Sequence, residues 1–252
     1  MKREIIVAND FYADPDAVIR YAKSLPYYSP FFNSRLGSSR PEDMAQSSWF
    51  TSMFKEASEC PFKSSEEFIL KLQGIVGEEI DRDHWNKGYP ENPDGTITIP
   101  RPDLIDPNGP YTFENLIPDA TSCRWNCAFN VKIHEQMPGT GVHSNAKDRW
   151  NMVGEDGWAG LIYLNKDAPR DSGLKTYKNK LGNDLEWMTA SDRWELIDDF
   201  ANIFNRLILV RGRWPHVGGS GFGSGIQDGR LFQTLFFKTN PVEIWDSCKI
   251  EI

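Results

Sequence analysis

The stretch "GVHSNAKDRW", residues 141–150, separates two segments whose composition is typical of β-strands. The segment before it, "WNCAFNVKI" (125–133), and the segment after it, "WAGLIYLN" (158–165), are rich in β-branched and aromatic residues and are bounded by turn-forming residues. Three further segments of this kind follow along the chain: "LKTYKN" (174–179), "NRLILVRG" (205–212) and "LFQTLFFKT" (231–239). This run of short strands predicts antiparallel sheets, and a jelly-roll barrel is the most economical way to close them.

Helices are predicted in the N-terminal half of the chain. Residues 10–25 place apolar side chains at helical spacing behind Asp14, a residue type that caps helix N-termini. Residues 64–80 repeat the pattern, and Ser64 and Glu67 have the spacing of a capping box.

A short strand, "EIIVA" (4–8), is predicted before these helices, and one further helix is predicted at about 190–201. An order of helices first and strands afterwards predicts a mainly β protein with flanking helices, of the α+β class. The length is consistent with a single domain over 1–252. We expect three parts within it: a helical and loop buttress at 1–123, a jelly-roll core at 124–240 and a C-terminal extension at 241–252.

Composition and charge exclude several classes of protein. Hydrophobic residues make up 39% of the 252 residues, enough for a substantial core, and the formal net charge of -8 argues against a nucleic-acid backbone as partner. No apolar run is long enough to span a membrane, the N-terminus lacks the apolar region of a signal peptide, and four cysteines do not suggest a secreted disulfide scaffold. We therefore expect a cytoplasmic protein. Five clustered basic side chains are expected on a solvated face: Lys175, Lys178, Lys180, Arg211 and Arg213.

Two loop regions are candidates for substrate recognition. Residues 84–122 are rich in Pro, Gly, Asn and Asp, with one short predicted strand at 96–99, and a second loop covers 146–157. We expect both to overhang the mouth of the barrel. Four side chains are candidates to line it: Arg149, Trp150, Arg213 and Trp214.

The chain has four histidines, and two of them have matched surroundings. His84 lies in a charged helix end, where we expect it to face water, and His134 closes a predicted strand. His143 precedes one strand and His216 follows another, and Arg230 comes fourteen residues after His216. Two histidines from separate strands plus a neighbouring oxygen donor form one face of an octahedron around iron(II), and an arginine can bind the far carboxylate of an oxo acid.

These features resemble the iron(II)/2-oxoglutarate-dependent oxygenase superfamily, whose core is a double-stranded β-helix, and especially its prolyl-hydroxylase-like members. His143 matches the first histidine of the family's His-X-Asp/Glu motif, His216 the distal histidine, and Arg230 the residue that receives the 2-oxoglutarate carboxylate. The resemblance runs from about 125 to 238 and includes three strands: "WAGLIYLN" (158–165), "SGLKTYKNK" (172–180) and "NRLILVRGRWPHVG" (205–218).

The resemblance implies a dioxygenase, an oxidoreductase that uses iron(II) and 2-oxoglutarate to hydroxylate a small-molecule or amino-acid-like substrate with dioxygen. It implies three metal ligands: His143, Asn145 and His216. Arg230 would anchor 2-oxoglutarate, and Tyr163 or Asn130 would donate a hydrogen bond to the same carboxylate. For Tyr163, packing in the core is an equal alternative.

Asn145 departs from the family pattern, which has an acid at this position. Three interpretations stay open: the amide oxygen binds iron weakly, the neutral position accepts chloride as in the related iron-dependent halogenases, or the barrel is a non-catalytic binding protein. In the first, a nearby acid is an alternative third ligand, and three are candidates: Asp148, Glu135 and Asp156.

Overall fold

The structure is a computed structural model that describes residues 4–25, 27–28, 49–52, 60–86, 126–133, 141–146, 153–182 and 191–240. Its strands are β1 Ile5–Ala8, β2 Tyr27–Tyr28, β3 Trp49–Ser52, β4 Glu79–Ile80, β5 Phe129–Lys132, β6 Trp158–Tyr163, β7 Leu174–Asn179, β8 Trp194–Phe200, β9 Leu207–Arg211, β10 His216–Gly218, β11 Arg230–Phe237 and β12 Thr239–Asn240. Its helices are α1 Pro15–Ser24, α2 Pro61–Ser64, α3 Glu66–Val76 and α4 Arg82–Asn86. The strand predicted at 96–99 lies outside the described residues.

Two antiparallel sheets form the barrel. The larger has the strand order β1-β9-β6-β11-β5-β3-β2, and the smaller has the order β10-β7-β8. An antiparallel bridge from His143 to His216 adds the segment around His143 to the edge of the smaller sheet, beside β10. From β5 to β11 the chain therefore crosses between the sheets repeatedly, which is the connectivity of a jelly roll. The predicted fold class, mainly β with flanking helices around a double-stranded β-helix, is confirmed.

Each face of the larger sheet packs against a different partner, because successive side chains of a strand point to opposite faces. One face joins helices α1 and α3 in a cluster that we call the outer core; it includes Val18, Leu72, Val131, Ile162, Leu209 and Leu235. The other face meets the smaller sheet in the inner core: Val153, Ala159, Leu161, Tyr163, Leu174, Ile208, Val210, Phe232 and Phe236. The inner core is the interior of the barrel.

The N-terminal segment also contributes strands to the larger sheet. The predicted strand at 4–8 is present as β1, which pairs with β9. Strands β2 and β3, which the sequence pattern did not predict, add two more strands beyond β5. None of the helices in the described ranges is long and apolar enough to cross a membrane.

The two predicted N-terminal helices are present, and one of their caps was assigned wrongly. Asp14 caps α1 as predicted, because its carboxylate accepts a 2.9 Å hydrogen bond from the Ala17 amide. For α3 the capping residue is Ser65, whose hydroxyl accepts from the Phe68 amide. Ser64 ends α2 instead, and its hydroxyl donates to the Cys60 carbonyl. The predicted capping box with Ser64 is therefore wrong by one residue.

The helix predicted at about 190–201 is also wrong. Residues Ser191–Arg193 form a short 3₁₀ turn, and residues Trp194–Phe200 form strand β8 at the edge of the smaller sheet. Pairing with β7 along its whole length supplies β8 with backbone hydrogen bonds that a helix would otherwise provide. Tertiary pairing outweighed the local helical pattern here.

Two residues predicted to be exposed are buried. His84 is 7% exposed, and its Nδ1 accepts a hydrogen bond from the Lys238 amide. Arg211 is 1% exposed; it pairs with Glu78 and lies 3.9 Å over the Trp158 ring. Both side chains have polar partners within the fold.

Candidate active site

His143 and His216 lie directly opposite each other in the barrel. Their backbones exchange two hydrogen bonds, from the His143 amide to His216 (3.1 Å) and from the His216 amide to His143 (2.8 Å). Opposed residues of an antiparallel bridge project to the same side. The two imidazole centroids are 4.9 Å apart, tilted by 50°. The structure therefore brings together the two histidines that the sequence singled out.

Backbone carbonyls set the tautomer of both imidazoles. Nδ1 of His143 is 2.8 Å from the Gly141 carbonyl oxygen, and Nδ1 of His216 is 2.8 Å from that of Trp214. A carbonyl oxygen only accepts, so each Nδ1 donates its proton and each Nε2 keeps its lone pair. Backbone carbonyls orient the histidine ligands of metal sites in proteins in the same way.

His216 is held in the neutral form that a metal requires. Burial, and secondarily the neighbouring His143, lowers the pKa of His216 to about 3. The ring is therefore uncharged at neutral pH. Its Nε2 can act as a ligand without first losing a proton.

Asn145 is fully buried, and neither atom of its amide has a hydrogen-bond partner among the described residues. It comes two residues after His143, at a bend of the chain. A buried amide without partners costs about 1–3 kcal/mol per unsatisfied group, which a bound ligand would remove. The amide oxygen is therefore available to a ligand.

Arg230, the first residue of β11, is buried in the barrel with a free hydrogen-bonding edge. Its Nε and Nη2 atoms are buried and have no partner in the part of the chain that the structure describes. These two atoms form one edge of the guanidinium fork, the edge that pairs with a carboxylate in bidentate geometry. Burial lowers the pKa of Arg230, but an arginine stays charged in proteins.

The surroundings of Arg230 complete a cradle for an anion. The central carbon of the Arg230 guanidinium is 4.6 Å from the centre of the Phe232 ring and 5.8 Å from the centre of the Tyr163 ring. Tyr163 lies on β6, opposite Phe232. No contact of the buried Tyr163 hydroxyl within the described residues has the full geometry of a hydrogen bond, although Arg230 and the Leu174 backbone lie close enough to lower its pKa. Burial raises the pKa of Tyr163 to about 12, although Arg230 opposes this shift, so the hydroxyl remains a donor at neutral pH.

Arg230 lies close to Gly218 on β10, the strand that carries His216. Gly218 follows His216 by two residues on β10, and a Cβ on Gly218 would lie 3.7 Å from Nη1 of Arg230. The guanidinium therefore packs against the strand that carries His216. The missing side chain at Gly218 leaves room beside the cation.

Asn130 lies on the same inner surface, opposite Phe232 on β5, but its amide is already in use. Its Nδ2 donates to the Thr234 hydroxyl (3.1 Å) and the Ala128 carbonyl (3.3 Å), and its Oδ1 accepts from Thr51 (2.7 Å). These bonds tie β3, β5 and β11 together. The prediction that Asn130 donates to the cosubstrate has no support from this geometry.

Sequence reasoning missed Lys132, a buried lysine on β5 whose Cα lies opposite that of Arg230. The alternation of the strand "FNVK" placed Lys132 on the same face as Asn130, so the signal was available.

Asp156 and Trp214, two other candidates from the sequence, have different surroundings. Asp156 is exposed and pairs with Arg213 at 2.7 Å, so it is a surface ion pair rather than a third ligand. Trp214 packs at the edge of the inner core, and its indole nitrogen has no partner among the described residues. Within those residues no cluster of three His, Cys, Asp or Glu side chains is present. Several predicted residues lie outside them: His134, Glu135, Asp148, Arg149, Trp150 and most of 84–122.

Neither protein-family models nor curated protein sequences give a match to the chain. Among solved structures it is similar to an oxidoreductase of the 2OG-Fe(II) oxygenase family from Burkholderia pseudomallei, with 9% identity, a TM-score of 0.47, and coverage of 93% of this chain and 84% of that one. It is also similar to a prolyl 4-hydroxylase from Phytophthora capsici, with 10% identity, a TM-score of 0.42, and coverage of 100% of this chain and 64% of that one. A prolyl 4-hydroxylase from Pseudomonas putida has 12% identity and a TM-score of 0.39, with coverage of 94% of this chain and 93% of that one. The function proposed below rests on this chain's own residues.

Proposed function

We propose that the protein is an iron(II)/2-oxoglutarate-dependent oxygenase that hydroxylates a small-molecule or amino-acid-like substrate. The observation that supports this best is the set of unpartnered polar groups inside the barrel. Asn145, Tyr163 and Arg230 are buried with side-chain atoms that have no partner among the described residues. Each is costly to bury alone, and each is satisfied by one part of a metal–oxo acid complex.

The donor set fits iron(II). Two imidazoles and one amide oxygen are ligands that a borderline divalent metal accepts, and together they would occupy one face of its coordination sphere. The amide lacks the charge of a carboxylate, so the site would bind iron more weakly than a site with an aspartate. His143 and His216 would hold the metal, and Asn145 would complete the face or orient a bound water.

The surroundings of Arg230 in the barrel interior fit the oxo acid. The Nε and Nη2 edge of Arg230 would take the distal carboxylate of 2-oxoglutarate, and the Tyr163 hydroxyl would donate to one of its oxygens. The apolar inner core around them excludes water and strengthens this pairing. When bound, iron(II) with 2-oxoglutarate and dioxygen supplies the oxidising chemistry that yields succinate and an oxygenated product.

The halogenase alternative has less support. A halide needs an empty coordination position, whereas the Asn145 side chain is present there and fully buried. The non-catalytic alternative leaves the orphaned atoms of Arg230 and Tyr163 without a physical reason. Hydroxylation is therefore the function that the geometry supports best.

The test is the weak visible absorption band of iron(II) chelated by an oxo acid, measured on the full chain without oxygen. We expect the band with iron(II) and 2-oxoglutarate together and with neither alone. His216→Ala should abolish it, and His84→Gln, which changes a buried histidine outside the site, should keep it. Absence of the band in the unmodified protein at saturating iron would support the non-catalytic alternative instead.

A further inference from the structure

Lys132 places a second buried cation beside Arg230. The two residues are directly opposed in the β5–β11 pair, and they are 4% and 1% exposed. Opposed residues of an antiparallel pair point to the same face of a sheet. Since Arg230 faces the barrel interior, Lys132 does so too.

The two cationic groups contact neighbouring residues at the end of β10 in the smaller sheet. Nζ of Lys132 donates a 3.2 Å hydrogen bond to the Gly219 carbonyl, and Nη1 of Arg230 lies 3.7 Å from the position of a Cβ on Gly218. Consecutive residues are about 3.8 Å apart along the chain. Both positive groups therefore reach across the barrel to the end of β10, just beyond His216.

Two like charges at opposed positions in a strand pair repel each other, and burial strengthens the repulsion. Arg230 has no carboxylate partner among the described residues, and one edge of its guanidinium is unpaired. An anion between the two groups would remove both penalties. A carboxylate has about four lone-pair sites, enough for the arginine fork, the Tyr163 hydroxyl and one ammonium hydrogen.

We propose that Lys132 is a second binding residue for the oxo acid and holds its distal carboxylate jointly with Arg230. The paired cations make the site select an oxo acid that carries a second carboxylate at its far end. This inference rests on the proposed function, because it takes the oxo acid as the ligand of the cradle.

The experiment is a calorimetric titration of the full chain with iron(II) in the absence of oxygen. Two ligands are compared: 2-oxoglutarate and 2-oxobutyrate, which keeps the chelating end and lacks the distal carboxylate. Lys132→Met should raise the Kd of 2-oxoglutarate about tenfold, as expected for loss of one charge-assisted hydrogen bond, and leave the Kd of 2-oxobutyrate unchanged. Lys132→Arg, which keeps the charge, should stay within about threefold of the unmodified protein.

The control is Lys175→Met, which changes a lysine paired with Asp199 on the outside of the smaller sheet and should alter neither Kd. If Lys132→Met does not fold, Lys132→Gln is titrated in its place with the same expectation. An unchanged Kd for 2-oxoglutarate, or equal weakening of both oxo acids, would overturn the role of Lys132. If Arg230→Met still weakens 2-oxoglutarate in that case, the proposed function stands; if the unmodified protein binds no 2-oxoglutarate, both fail.

Discussion

On the helix-facing side of the larger sheet, two buried polar side chains show how such groups are satisfied within the described residues. The Tyr27 hydroxyl donates to the Ala22 carbonyl (3.0 Å), and the Trp85 indole donates to the Lys63 carbonyl (2.9 Å). Inside the barrel, the side chains of Asn145, Tyr163 and Arg230 are equally buried and leave donors or acceptors without described partners.

From this difference we infer that the barrel interior is the region built for a ligand. A buried polar group with a protein partner is satisfied in the folded chain, and its loss lowers stability. A buried polar group without one lowers stability itself and is satisfied only when something binds. The following variants test this contrast between the outer core and the barrel interior.

The largest expected effect is the loss of iron binding in His216→Ala. Among the described residues the proposed site offers two imidazole donors and one neutral amide, so removing one imidazole should reduce iron(II) affinity below detection. Calorimetric or absorbance titration of iron(II) measures this. An unchanged titration would show that His216 is not a ligand.

The next effect concerns the outer core alone. Phe129 is fully buried, with the rings of Phe62 and Tyr21 at 5.5 and 6.1 Å. Phe129→Ala should lower the free energy of unfolding by about 3–5 kcal/mol because it leaves a cavity. Chemical denaturation measures it, and Leu181→Ala, at a site that is 69% exposed, should change the value by less than about 0.5 kcal/mol.

Two buried arginines sharpen the comparison. Arg230→Met should weaken 2-oxoglutarate binding by about 2–4 kcal/mol, since it leaves a carboxylate unpaired, without lowering the stability of the ligand-free protein. Arg211→Met should instead lower stability by about 3–5 kcal/mol, because Glu78 loses its buried partner. Calorimetry and denaturation of both variants separate the two roles; equal cosubstrate affinity in Arg230→Met would contradict the assignment.

Asn145→Asp should tighten iron(II) binding by about tenfold, or about 1.4 kcal/mol, because it restores a negative charge beside the metal. For a hydroxylase with a weak ligand, succinate formation coupled to hydroxylation should persist or increase. For a halogenase, the carboxylate should displace chloride and convert chlorinated product to hydroxylated product. Product analysis by mass spectrometry decides between them, and a non-catalytic barrel would consume no 2-oxoglutarate in either form.

The smallest effect compares two fully buried tyrosines. Tyr27→Phe removes a hydroxyl that donates to a carbonyl and should lower stability by about 1 kcal/mol. Tyr163→Phe removes a hydroxyl without a described partner, so stability should not fall, while 2-oxoglutarate affinity should drop by about 0.5–1.5 kcal/mol. A loss of stability in Tyr163→Phe equal to that in Tyr27→Phe would remove the contrast.

The strands that carry the site were predictable because they are short runs rich in β-branched and aromatic residues, bounded by turn-forming residues. The segments at 125–133, 158–165, 205–212 and 231–239 became β5, β6, β9 and β11. His143, His216 and Arg230 came from the flanks of these segments. The segment at 190–201 was read wrongly because its apolar residues also fit a helical period. Antiparallel pairing with the edge of β7 favours the strand period of two over the helical period at this segment.

By itself, the sequence determined the run of strands, the helical N-terminal layer and the identity of the polar residues near the barrel mouth, because these depend on local periodicity and residue chemistry. The tertiary structure decided which polar groups are satisfied. Asn130 and Tyr163 were both candidates in sequence, yet Asn130 bonds to Thr51 and Thr234 while no contact of the Tyr163 hydroxyl within the described residues has the full geometry of a hydrogen bond. The pairing of Lys132 with Arg230 likewise depends on the register of β5 against β11, about 100 residues away in the chain, and register is a property of the folded sheet.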